Sequence, residues 1–376
     1  MVVSALTKLA FLPKPKILVY RIGNLGDTII SLPAMRAVRR QFPAARITLL
    51  GNAHNKHVAA RSVLPADGLF DEWMTYPTGD NNTATAISSE LVGLFLRLRR
   101  EQFDALVYLA PRSRTRRQVW RDQLFFRLAG IRNFIGHTGF APMPKINGAP
   151  LPTVEHEADH LLARLHLSGI KVPPAGAGEM NLDLSATEIE RARRWLSENC
   201  GSAFWEKRLI GIGAGSKWQS KVWAENKFAE LGQKLIDELN LFPVIFGGSE
   251  DRAGGARLLQ DWGCGANAAG VLSIRETAAA LRFCELYVGN DTGTMHLAAA
   301  VKTLCVGIFA AQDWRGRWSP YGVGHAVLRE FVECEGCLLA VCPRANLCLE
   351  KISVNAVFAA CQQTLQQRQE KVWLVN

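Results

Sequence analysis

The residues with most chemical potential sit at glycine-bracketed turns where a strand hands over to a helix. Leu286-Tyr287-Val288-Gly289-Asn290 reads as a strand, Asp291-Thr292-Gly293-Thr294-Met295-His296 as a turn, and Leu297 to Val301 as an apolar helical run. An acid, small residues and a histidine at such a junction put free backbone N–H groups and a positive dipole end where an anion or a sugar nucleotide could sit. Asp27 lies in a similar turn, behind Gly23-Asn24-Leu25-Gly26. Its carboxylate reads equally well as a helix cap for the N–H groups of Ile29 or Ile30 and as a general base. A third turn, Gly213-Ala214-Gly215-Ser216-Lys217, is followed by Lys221 and Trp223. Small residues there allow close approach to a phosphate, Ser216 can donate to it, and Lys221 supplies a point charge. The Gly-Lys-Ser/Thr order of a P-loop is absent. Glu250, after Phe246-Gly247-Gly248-Ser249, ends another strand, where an acid can reach a ribose hydroxyl or simply start a helix in solvent.

Two further patterns point elsewhere. Cys334-x2-Cys337-x4-Cys342-x5-Cys348 gathers four of the nine cysteines. Thiolates at such spacing could hold zinc or iron, although the gaps are short for two metal knuckles. His156-Glu157-Ala158-Asp159-His160 matches the H-E-x-x-H of zinc peptidases, with His166 where a third histidine would stand. The extended pattern needs a glycine turn at 163, where this chain has Ala163. In a continuing helix the third imidazole turns about 280° from the first, so a three-ligand set fails. Asp291-Thr292-Gly293-Thr294 also matches an aspartic-protease signature, but that site is built in β-structure and here a helix follows.

The formal charge of +10 belongs wholly to the first half: residues 1–170 carry 22 Lys+Arg against 12 Asp+Glu, and residues 171–376 carry 22 against 22. Its densest cluster is Arg112, Arg114, Arg116, Arg117 and Arg121, with Arg97, Arg99 and Arg100 upstream. Such a bias fits a polyanionic partner, whether nucleic acid, an anionic membrane surface or a phosphorylated substrate. No apolar run approaches 18 residues, and Met1 to Pro13 lacks a small-residue cleavage site. A cytoplasmic protein without a membrane-spanning helix is therefore expected.

Placing these turns requires parallel-sheet units. Lys16 to Arg21 reads as a strand, Thr28 to Phe42 as a helix, Arg46 to Gly51 as the next strand, and Phe103 to Leu109 as a later strand of the same sheet. After a predicted helix over Val154 to Leu167, the Pro/Gly-rich stretch from Lys171 to Gly178 predicts a boundary near residue 175. Helix and strand then alternate again: strands over Leu209 to Ile212, Phe242 to Phe246, Leu286 to Val288 and Thr303 to Phe309, with helices between them. Two doubly wound α/β domains in tandem, with a cleft between the C-terminal edges of their sheets, are the expected architecture.

Taken together, Gly23-Asn24-Leu25-Gly26-Asp27-Thr28 with its helix, Lys221-x-Trp223, Phe246-Gly247-Gly248-x-Glu250 and Gly289-Asn290-Asp291-Thr292-Gly293-x-x-His296-Leu297-Ala298-Ala299-Ala300 resemble glycosyltransferase family 9, the bacterial heptosyltransferases. The likeness spans residues 16 to 360 in order and spacing. It implies a GT-B fold of two Rossmann-like domains: an acceptor-binding domain over 1–172, a nucleotide-sugar domain over 173–353, and a C-terminal helix over 354–376 returning toward the first. It implies inverting transfer of a heptose from ADP-heptose to a lipopolysaccharide core acceptor, without a cofactor and without a metal at the active site. By the same resemblance, Asp27 is the base, and Ser216, Lys217 and Lys221 lie by the diphosphate. Asn24, Glu250, Leu272, Asp291, Thr292, Gly293 and His296 complete the donor set. Leu272 falls where an apolar residue packs on adenine. Asn24 replaces a serine found in some members, and Lys217 a threonine. Arg112, Arg114, Arg116 and Arg117 are then expected to meet a phosphorylated glycolipid at the inner membrane face, with no nucleic acid involved. A family member using another sugar nucleotide, or a non-catalytic nucleotide-sugar binder, is the alternative expectation.

Overall fold

The structure is a computed structural model and describes residues 6, 9, 11–52, 60–65, 68–77, 84–140, 143–144 and 149–373. It divides into two compact units, one of residues 1–143 and 157–180, the other of residues 144–156 and 181–376.

In the first unit, apolar runs bounded by turns form five parallel strands in the order β3-β2-β1-β4-β5. They are β1 (Lys16–Tyr20), β2 (Arg46–Asn52), β3 (Glu72–Tyr76), β4 (Ala105–Tyr108) and β5 (Asn133–Ile135). Central β1 pairs Tyr20 with Leu50 on one side and with Tyr108 on the other. Its residues from Ile17 to Tyr20 are buried, as a strand covered on both faces requires. The helices are α1 (Leu25–Ile30), α2 (Leu32–Gln41), α3 (Ala84–Glu101), α4 (Arg116–Leu128) and α5 (Glu157–Leu167). The stretch expected as one helix over 28–42 is two, divided at Ser31. Pro33 has no N–H to return to the carbonyl of Ile29, so the ladder breaks there.

The second unit holds six parallel strands in the order β11-β10-β9-β6-β7-β8. They are β6 (Arg208–Gly213), β7 (Leu241–Ile245), β8 (Ala266–Asn267), β9 (Cys284–Asn290), β10 (Leu304–Ile308) and β11 (Ala326–Leu328). Helices α6 (Ala186–Cys200), α7 (Glu225–Leu239), α8 (Arg252–Trp262), α9 (Ile274–Leu281), α10 (Gly293–Ala300) and α11 (Val354–Trp373) surround it. Counted within the unit, this is the 3-2-1-4-5-6 order of a doubly wound nucleotide-binding sheet, and the order in which strands are added reverses between β6 and β9, which run parallel. Ligands of such sheets bind beyond the strand ends at that switch point.

Two features depart from the chain-order expectation. The stretch 144–156 groups with the second unit: Val154 N–H donates to the Arg315 carbonyl at 2.8 Å, and Trp314 Nε1 donates to the Pro144 carbonyl at 3.1 Å. The last helix, expected to return toward the first domain, packs Val354, Val357, Phe358, Cys361 and Leu365 into the core of the second. Their helical spacing makes one apolar stripe, which the sheet bearing β9 and β10 covers.

Candidate active site

Asp27 is built onto the end of the central strand of its unit. Asn24 precedes α1, which puts Asp27 in the helix's first turn and not at its cap. Its Oδ2 turns back to accept the Asn24 N–H at 2.7 Å, and its Oδ1 lies 3.2 Å from Arg21 Nη2. Arg21, buried at the end of the β1 run, also donates to the Asp27 carbonyl at 2.8 Å and, through Nη1, to the Leu109 carbonyl at 2.9 Å. One guanidinium thus fixes the carboxylate and ties its turn to the end of β4. Gly23 makes room, since a Cβ there would lie 2.6 Å from Asp27 Cβ. Asn52 closes the turn from β2, exchanging hydrogen bonds with Gly23 N–H (3.1 Å) and carbonyl (2.8 Å). The capping bond goes to Asn24, not to Ile29 or Ile30, and the side chain keeps partial solvent exposure, with 20% of its surface open. Arg21 escaped the sequence reading, although a lone arginine ending a buried strand run is the signal that would have exposed it.

The four arginines assigned to the acceptor separate into two kinds. Arg112 is buried and its N–H donates to Glu157 Oε1 at 2.7 Å. Arg114 is half-buried, 3.5 Å from Asp122 Oδ2 and 3.3 Å from the Tyr20 hydroxyl. Arg116 and Arg117 stand exposed on the first turn of α4. The loop behind Arg112 is held from α5: Arg164, fully buried, donates to the carbonyls of Tyr108 (2.7 Å), Ala110 (2.6 Å) and Gly136 (2.9 Å). Burial pulls the Arg164 pKa down to about 9, so it keeps its charge at neutral pH and spends it on those carbonyls.

In the second unit the Asp291 turn and the Gly213 loop meet at the switch point between β9 and β6. Lys221 Nζ lies 2.6 Å from Asp291 Oδ2, both side chains being largely buried. Asn290, fully buried, accepts the Trp223 N–H at 3.1 Å and donates to the Ala214 carbonyl at 2.7 Å, so one amide joins the three segments. Trp223 is itself wholly buried and anchors the stretch that carries Lys221. Thr292 and Gly293 begin α10, and no side chain caps its first turn. Those N–H groups and the dipole end therefore offer positive potential beside Lys221. His296 is buried on the same helix, and Nδ1 has no hydrogen-bond partner among the described residues. Burial, with His156 and Lys221 adding to it, lowers its pKa to about 3 and keeps it neutral.

Ser216 caps only its own turn, accepting the Trp218 N–H at 3.3 Å, and Lys217 is exposed. Glu250 is exposed as well, whereas its neighbour Asp251 turns inward. Asp251 Oδ2 accepts the Gly248 N–H at 2.9 Å, and a Cβ on either Gly215 or Gly247 would collide with its carboxylate. Burial raises its pKa. The two glycine loops thus leave room for Asp251, a candidate that the sequence reading passed over in favour of Glu250. Leu272 is half-buried just before α9, on the loop where Gly270 N–H donates to the Gly247 carbonyl at 3.1 Å.

The protease and metal readings do not assemble. His156 belongs to the second unit, bonded to the Ser319 carbonyl at 2.9 Å, while His160 lies in α5 of the first, whose helix starts only at Glu157. Cys334, Cys337, Cys342 and Cys348 do line one pocket, with Ser220 and Gln312. All nine cysteines are free thiols, and no group of three or more metal-binding side chains is close enough to clasp an ion among the described residues.

Two parallel-sheet α/β units, each Rossmann-like, are the two halves of a GT-B fold. Residues 174–348 match the model of glycosyltransferase family 9 (heptosyltransferase). Lipopolysaccharide heptosyltransferase 2 of Escherichia coli K12 is 26% identical over 306 residues, spanning 78% of this chain and 82% of that one. Among solved structures, a family 9 glycosyl transferase from Veillonella parvula superposes with a TM-score of 0.68 at 19% identity, covering 94% of this chain and 97% of its own. The E. coli ADP-heptose lps heptosyltransferase II gives 0.64 at 20% identity, covering 94% and 99%. The chain is similar to glycosyltransferase family 9 over residues 174–348 and to a lipopolysaccharide heptosyltransferase along most of its length.

Proposed function

We propose that the enzyme moves a heptose from ADP-heptose to a hydroxyl of a lipopolysaccharide core acceptor, in the cytoplasm, with inversion at the anomeric carbon. Asp27 takes the proton of the acceptor hydroxyl as that oxygen attacks, and ADP leaves with the electron pair of the broken glycosidic bond. The observation that carries the donor half is the Lys221–Asp291 pair beside the uncapped start of α10. Lys221 and the N–H groups of Thr292 and Gly293 neutralise the diphosphate, with Ser216 and Lys217 on the adjoining loop. Asp291 holds sugar hydroxyls once the diphosphate draws Lys221 away. No metal is required for a leaving group already met by a lysine and a helix dipole. Glu250 or Asp251 reaches the ribose, Leu272 packs on the adenine, and Asn24 orients the sugar by Asp27. Arg112, Arg114, Arg116 and Arg117 receive the phosphorylated acceptor.

Calorimetry with ADP-heptose, UDP-sugars and GDP-sugars tests the donor assignment. ADP-heptose should bind at least about tenfold more tightly than the other two, and Lys221→Ala should weaken it further than it weakens adenosine. Preference for a UDP- or GDP-sugar would replace the donor while leaving the fold and the site in place.

A further inference from the structure

Helices α3 and α4 lie side by side in the first unit, joined by Phe95 against Phe125 (centroids 5.9 Å) and by Arg99 Nη1 on the Leu128 carbonyl (3.4 Å). Leu94 and Leu98 of α3, and Val119 and Phe126 of α4, face the core. The opposite faces are not polar, as solvated helix faces would be. Trp120, Leu124 and Leu128 recur at i, i+4 and i+8 along α4, and Val92 and Leu96 at i and i+4 along α3. Trp120 is 63% exposed and the other four between 40% and 60%. Seven arginines stand among them on the same two helices: Arg97, Arg99, Arg100, Arg116, Arg117, Arg121 and Arg127. Only Arg121 forms an ion pair with a described residue, and its partner, Asp122, is buried.

We infer that this two-helix face is a docking surface for an anionic lipid bilayer. A tryptophan and four aliphatic side chains interleaved with arginines of which only Arg121 is ion-paired to a described residue match an interface in which apolar groups enter the headgroup boundary and guanidiniums meet lipid phosphates. A purely polyanionic ligand would use the arginines and leave Trp120, Leu124 and Leu128 without a role. The inference goes beyond the transfer reaction and is read without donor or acceptor, so either can fail alone.

Flotation of the whole protein with phosphatidylcholine vesicles, with and without phosphatidylglycerol, tests it. Binding should be at least about tenfold stronger to the anionic vesicles and should weaken with salt. W120S/L124S, two exposed changes whose folding is checked by thermal melting, should lower anionic-vesicle binding by about tenfold at low salt. Equal binding to neutral and anionic vesicles would overturn the inference. So would unchanged binding of a folded W120S/L124S protein, which would mean adhesion by arginines alone. A concentration-dependent dimer abolished by W120S/L124S would overturn it too, because the face would then be an interface between copies.

Discussion

His296 gives the second unit a pH sensitivity of predictable sign. Its folded pKa is held near 3, chiefly by burial, below the ordinary imidazole value of 6.5. Above about pH 6.5 the side chain is neutral both folded and unfolded. As pH falls from 6.5 toward 3, only the unfolded chain takes up the proton, so stability declines across that window by up to about 1.4 kcal/mol per pH unit. Urea unfolding between pH 4 and 8 should show that decline, and His296→Gln should flatten it. An unchanged slope in the variant would assign the effect to another group. Arg21 and Asp251 show what a residue-level reading of the sequence misses. Arg21 lies three residues before Asn24 and Asp251 one beyond Glu250, at strand ends where only the fold decides which carboxylate or guanidinium turns inward.

At the scale of elements, the strands were legible because both faces of a parallel sheet are covered, leaving runs such as Ile17-Leu18-Val19-Tyr20 with no polar alternation. The turns were legible because their glycines mark close approach. Gly213 and Gly289 sit opposite each other in the β6–β9 register, and a Cβ on Gly213 would overlap the Tyr287 hydroxyl. Gly213→Ala is therefore expected to cost about 1–3 kcal/mol in denaturant unfolding. Adding Tyr287→Phe should recover part of that loss, since it removes the atom in the way. Additive losses would place the strain elsewhere. Less legible were the stretch 144–156 and the direction of α11, because both depend on long-range partners. Arg315 and the strands beneath α11 leave no trace in local periodicity. The H-E-x-x-H match failed for the same reason: five consecutive residues contribute to two units.

For the whole molecule, the division of labour follows the two separate cores. The described part of the first unit carries the basic excess, the Asp27 turn and the α3–α4 face. The second carries a doubly wound sheet with the Lys221–Asp291 pair at its switch point. The charge asymmetry lies in the first unit, where an anionic partner is proposed. The most direct test of this division is Asp27→Asn, which removes a base while keeping size and hydrogen-bonding shape. Transfer from ADP-heptose measured beside calorimetric binding of the same donor should show kcat reduced by about 10²–10⁴ and the donor Kd within about twofold of the parent protein. Transfer within about threefold of the parent rate would contradict Asp27 as the base.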